Sequence, residues 1–293
     1  MAGVEAQAQE HEIGGWAGVA NFFGSINTTF SWKHVEPAGG LFYRYNIGKR
    51  FAAKAMVSYG EVAGSDATSP LAWERQRNLS FKSTVTDVCG TFEFNFFKWN
   101  KNNPKHNGFT PYIASGFGMF FFNPEAFYKG KWYYLQPLGT EGQNDPSYSG
   151  VKKYKLYAFE IPLEGGFKIH VKKNWNVNVF ASVRETFTKY MDDVSGTYAS
   201  NASLPGGSRG IAAALADRSG EVNDGVNIGN PRLFSHLRFR KLVWIGNGHA
   251  GSDHAHHDAQ LEGLAGFHGS SVKDHHYCLG NFRSCDERGD CKG

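Results

Sequence analysis

The sequence predicts an all-β chain: an eight-stranded antiparallel transmembrane β-barrel with long external loops and an atypical final strand. Three observations predict it. Apolar and polar residues alternate strictly in several stretches, which gives each strand two unlike faces. Those stretches are roughly 9–11 residues long, enough to cross a bilayer when tilted. The connections alternate between tight and long, the rhythm of short turns at one rim and long loops at the other.

The elements follow in order. Glu12–Phe23 is too rich in Gly and aromatics for a helix and reads as a first strand. In Leu41–Ile47, Leu41, Tyr43, Tyr45 and Ile47 share one face, opposite Phe42, Arg44 and Asn46. Phe51–Gly60 sets Phe51, Ala53, Ala55, Val57 and Tyr59 against Ala52, Lys54, Met56 and Ser58. Asp87–Phe96 sets Val88, Gly90, Phe92, Phe94 and Phe96 against Asp87, Cys89, Thr91, Glu93 and Asn95. Phe109–Phe122 is again Gly- and aromatic-rich. Phe159–His170 is the cleanest case, with Phe159, Ile161, Leu163, Gly165, Phe167 and Ile169 opposing Glu160, Glu164, Lys168 and His170. In Trp175–Arg184, Trp175, Val177, Val179, Ala181 and Val183 oppose Asn176, Asn178, Phe180, Ser182 and Arg184. The turns at Gly48–Arg50 and Lys172–Asn174 are tight, whereas Gly24–Pro37, Glu61–Asn78, Asn123–Lys155 and the stretch after Met191 are long. Lipid cannot satisfy an open sheet edge, so closure requires an eighth strand. Leu233–Trp244 is the candidate, with poor alternation that is lost beyond Ile245.

Composition narrows the classes. The chain has 293 residues, with 24 Phe, 36 Gly and only 4 Met, which favours sheet because aromatics pack on pleated surfaces. Its 31 Lys and Arg against 27 Asp and Glu give a mild net charge of +4. The basic residues are scattered rather than gathered in a stripe, so no nucleic-acid partner is expected. Mean hydropathy is −0.44, which a barrel also shows, because lipid-facing and lumen-facing residues average out. Residues 1–11 read as a residual N-terminal segment, 12–245 as the barrel and 246–293 as a His-, Gly- and Cys-rich tail that is disordered or out of frame. Met1–Glu10 has no charged and apolar leader, but Ala6–Gln9 resembles the surroundings of a cleavage site. The expectation is a cell outer-membrane protein whose export signal is missing from this sequence. Cys278, Cys285 and Cys291 form no CxxC and define no disulfide framework.

Several motifs then resemble a family. Gly40–Ile47 (GLFYRYNI), Arg77–Ser83 (RNLSFKS), Phe92–Phe97 (FEFNFF) and Phe109–Pro124 (FTPYIASGFGMFFFNP) resemble the PorG-like outer-membrane proteins of Bacteroidetes. So do Trp132–Gln143, Thr186–Tyr198 and Leu215–Ser219, and the likeness covers about Glu12 to Pro231. The resemblance implies a small barrel of the type IX secretion system, linked in some relatives to gliding motility. It implies a structural or assembly role, membrane lipid around the barrel, and other secretion-system subunits, a periplasmic ring, as partners. It implies no catalytic residues and no small-molecule substrate. After Pro231 the sequence departs from the family, as a reading-frame change or a fused foreign tail would make it.

Candidate sites are few. Arg44, Lys54, Glu93, Glu160, Glu164, Lys168 and Arg184 should point inward and form a salt-bridged polar network, because eight strands leave an interior that side chains fill. In the third long loop, Trp132, Tyr133, Tyr134, Leu135 and Leu138 are apolar for an exposed segment, so they form a docking patch, fold over the barrel mouth, or belong to an interfacial aromatic girdle. Asp192 and Asp193 match no calcium loop and read as a turn or cap. Gly116 and Gly118 precede no helix, so they mark close packing rather than a phosphate loop. The tail histidines and cysteines fit no zinc spacing. No cofactor and no metal is expected, and the protein is expected not to be an enzyme. Two alternatives remain. One is a soluble lipocalin-like barrel for a small apolar ligand, with apolar residues inward. The other is an outer-membrane lipid-modifying enzyme, for which His170 is the strand histidine and no GxSxG elbow appears.

Overall fold

The computed structural model describes residues 10–29, 32–99, 108–145, 151–172, 175–196, 199, 204–207, 210–223 and 240–251. Nine strands are described: β1 (Glu10–Phe23), β2 (Glu36–Ile47), β3 (Phe51–Ser65), β4 (Ser80–Asn95), β5 (Phe109–Tyr128), β6 (Lys131–Tyr134), β7 (Tyr157–Lys172), β8 (Trp175–Thr186) and β9 (Arg240–Gly251). Eight of them close into an antiparallel ring, each paired with its neighbours, with β1 joined to β9 and β4 to β5. Among the described strands, β6 pairs only with the projecting end of β5. The turn at 48–50 and the ends of β7 and β8, where Lys172 pairs with Trp175, lie at the same rim as Glu10 and Gly251, which is the periplasmic rim of a barrel of this layout.

Sidedness follows the expectation. Leu41, Val57, Val88, Phe92, Ile113, Phe117, Phe159, Leu163, Phe167 and Val179 are exposed, while Glu12, Arg44, Glu93, Glu160, Lys168 and Arg184 are buried. An apolar belt faces outward and charges fill the interior, the inverse of a soluble barrel and the signature of an outer-membrane one. Stacked rings ring the periplasmic edge, with Phe51 on Phe92 at 5.6 Å and Phe109 on Phe167 at 5.8 Å. At the other edge Phe121 meets Tyr157 at 6.4 Å.

The strands run beyond the expected stretches at the external rim, because the pattern inverts there. Above the belt the inner face becomes apolar (Phe22, Val62, Phe81, Val85, Phe120 and Phe122) and the outer face polar (Glu61, Lys82, Asn123). That apolar layer continues into a cap made of α1 (Ala72–Arg77), α2 (Leu135–Leu138), α3 (Ile211–Ala216) and the loops between them.

The last strand needs a correction. The described final strand is Arg240–Gly251, so it runs on past Ile245, and the first strand begins at Glu10; residues 233–239 of the expected strand Leu233–Trp244 lie outside the described residues. The lost alternation has a physical reason: three inward positions are small, namely Gly246, Gly248 and Ala250. The rings of Trp16 and Phe180 lie over Gly246, where a Cβ would meet them at 2.6 and 2.9 Å. Hydropathy is silent where the core needs space. The tail expectation for 252–293 lies outside the described residues. His249, one of its histidines, sits on β9 facing outward.

Candidate functional site

The lumen is built in layers. Nearest the periplasm, Arg44 on β2 reaches Glu12 on β1 at 2.8 Å and Glu93 on β4 at 2.9 Å. Lys168 on β7 pairs with Glu93, and Lys54 on β3 pairs with Glu164 on β7 and lies 3.4 Å from Glu93. Asn46 donates to Glu12 at 2.9 Å and the Tyr112 hydroxyl donates to Glu164 at 2.7 Å. Three cations thus meet three carboxylates, as burial demands. Above them Trp16 packs edge-on against Phe180 and Trp244, both at 5.4 Å. Beyond that aromatic layer, Arg184 on β8 meets Asp87 at 2.8 Å and Glu160 at 2.5 Å and lies over Trp244.

All seven expected lumen residues therefore point inward, but in two clusters. Arg44, Lys54, Glu93, Glu164 and Lys168 form the first, and Glu160 and Arg184 belong to the second. Sequence reasoning missed Glu12, Tyr112 and Asp87 as members. Asp87 had the right alternation. Glu12 and Tyr112 sit in strands whose glycines and aromatics blur the period. The lumen glycines mark close approach: a Cβ on Gly116 would meet the Gly90 carbonyl at 1.9 Å. This supports packing over a phosphate loop.

The cap closes the external end. Asp192 accepts the backbone N–H groups of Ser25 and Ile26 at 2.8 and 3.1 Å. Asp193 accepts the hydroxyls of Thr140 and Tyr154, both at 2.5 Å. Glu141 accepts the N–H and hydroxyl of Ser195 and the N–H of Gly196. Asp66 holds Arg77 through two bonds of 2.5 and 2.6 Å, and Arg77 donates on to the Ser25 carbonyl. Loop donors thus occupy the Asp192–Asp193 carboxylates, and no group of three metal-ligating side chains occurs among the described residues. Burial pushes the Asp193 carboxyl up to about 7 and the Asp66 carboxyl up to about 6, against the pull of their donors. Burial also raises Glu141. A cavity of about 30 Å³ remains between Ile26, Leu79, Leu135 and Val194, room for a water or two.

The apolar third loop divides. Leu135 is buried in the cap core, and Tyr133 and Leu138 pack against it. Trp132 and Tyr134 face outward on β6, at 47 % and 56 % exposure. His170 lies near the periplasmic turn, in a hydrogen bond of 3.0 Å with Asn176.

The fold has counterparts among solved structures. Ail, the attachment invasion locus protein of Yersinia pestis, solved with the heparin analogue sucrose octasulfate, is 8 % identical with a TM-score of 0.40, over 84 % of this chain and all of that one. Neisserial surface protein A is 6 % identical with a TM-score of 0.39, over 82 % and 96 % of the two chains. OprG of Pseudomonas aeruginosa is 12 % identical with a TM-score of 0.36, over 83 % and 96 %. No curated protein matches the sequence. A family profile, described as a domain of unknown function (DUF6089), matches residues 1–207. That match spans most of the barrel, and the chain belongs to the DUF6089 family.

Proposed function

We propose that this barrel is a non-enzymatic assembly component of a type IX-like protein secretion machine, embedded in the outer membrane and engaging a ring of other subunits at its periplasmic rim. One observation carries the reading: the interior is filled by paired charges and aromatic rings and is covered by a cap, so transport through the barrel has no path. Function is left to its rims and outer wall. The PorG-like motifs from Gly40 to Ser219 supply the machine. The periplasmic rim supplies the contact surface, since the turn at 48–50 and the start of the 96–108 segment lie there. A soluble lipocalin-like carrier would need the opposite sidedness.

Deletion in the native host, with complementation, tests the proposal. Cargo of the secretion system should accumulate in the periplasm, and a photo-crosslinker at Lys49 should capture a periplasmic ring subunit. Normal export in the deletion strain would refute it.

A further inference from the structure

The outward surface above the belt is uneven in charge. On the β3–β4 side Lys82 is matched by Glu61 at 2.8 Å, and Glu125 stands opposite Lys82 in the strand register. Glu125 also faces Tyr134 across the β5–β6 ladder, and the Lys82 ammonium lies 5.9 Å from the centre of the Trp132 ring, but on the β6–β7 side the cations outnumber this carboxylate. Lys129 and Lys131 flank the tip of the β5–β6 hairpin, and Lys152, Lys153 and Lys155 precede β7; all five are exposed. None of the five makes an ion pair with a described residue. The two groups lie on one sector of the wall. The Phe122 N–H donates to the Leu156 carbonyl at 3.0 Å, and the Gln136 amide donates to the Tyr154 carbonyl at 2.9 Å. These bonds hold the lysine segment beside β5 and α2.

Aromatic rings interleave with these lysines. Lys155 donates to the Tyr157 hydroxyl at 3.0 Å, and Tyr157 lies at the belt edge against Phe121. Higher on the same wall Phe127 packs on Trp132 at 5.3 Å, and Tyr134 shares their outward face. The hairpin tip lies seven residues beyond Phe121, roughly 15–20 Å above the belt for a tilted strand. Cations therefore begin at the membrane edge, and flat exposed rings rise above them. Phosphates at the base of a lipid headgroup and sugar faces stacked above match that order.

We propose that this sector binds the phosphorylated sugar headgroup of a glycolipid in the surrounding leaflet. Lys152, Lys153 and Lys155 take the phosphate, and Trp132, Tyr134 and Phe127 stack on the sugars. The charge complementarity resembles that of polybasic segments at anionic membrane surfaces, each cation adding to the attraction. A lone lysine at a random rim position would not.

Native mass spectrometry of the detergent-purified chain tests this with a bisphosphorylated lipid A, its dephosphorylated form and a lipid-free sulfated disaccharide, each at equal concentration. The wild type should retain the phosphorylated lipid several-fold over the other two. The triple variant Lys152→Gln, Lys153→Gln, Lys155→Gln should bring retention to parity, and Trp132→Ala should weaken it while the phosphate preference stays. Heat-modifiable gel mobility confirms that each variant is folded. Equal retention of both lipids by the wild type, an unchanged triple variant, or equal capture of the lipid-free sugar would overturn the proposal.

Discussion

Glu93 is fully buried and faces three cations. Arg44, Lys54 and Lys168 all approach it, and no other carboxylate among the described residues pairs with as many described cations. Glu93→Gln would leave three cations against two carboxylates in a buried layer. Breaking such a network is expected to cost about 3–5 kcal/mol, read as a lower urea midpoint for the loss of heat-modifiable mobility. The pair Glu93→Gln, Lys168→Met should recover part of the loss, because it removes one unmatched cation. Glycines allow a second comparison. Gly116→Ala forces a Cβ onto the Gly90 carbonyl and should destabilise by about 1–3 kcal/mol. Gly15→Ala meets only ordinary contacts at 3.6 Å and should be near neutral in the same unfolding assay. The inward charges were legible from the alternation of Arg44, Lys54, Glu160 and Arg184. Their grouping was not, since partners lie on strands far apart in sequence.

Among elements, the strand ends and the cap carry the differences. Val62 falls in an expected loop and Phe81 outside any expected strand, because apolar residues that should face lipid instead face inward there, under the cap. In that cap Asp193 titrates against burial. Its folded value of about 7 lies above the ordinary 3.8. The folded cap therefore binds a proton that the open cap releases. The resulting stabilisation is complete below about pH 4 and is lost as pH rises through 7. Amide exchange in residues 139–145 and 190–196 should accordingly quicken between those values. Asp193→Asn keeps an acceptor and suits the left-handed backbone at φ 57. It should flatten that dependence, and an unchanged slope would show that another group governs opening. Gly246→Leu is the matching test of β9: it should lower the yield of closed barrel, because Trp16 and Phe180 occupy the space.

For the whole molecule, the layered lumen predicts silence in planar bilayers. The reconstituted chain should show no stable ionic conductance at moderate voltage, whereas an open polar path would give discrete steps. A filled interior agrees with the general size argument for eight strands, and it places all outside contacts on the rims and wall.

The sequence alone determined the fold class, the sidedness of five strands and the inward direction of the charges on them, because each follows from period-2 alternation against lipid. Tertiary structure decided the rest. It decided which charges meet, because pairing depends on neighbours brought together by closure. It decided where β9 lies, because glycines under aromatic rings leave no hydropathy signal. It also decided that the apolar third loop divides between a buried cap and an exposed wall, because the same residue types serve both faces once the chain leaves the membrane.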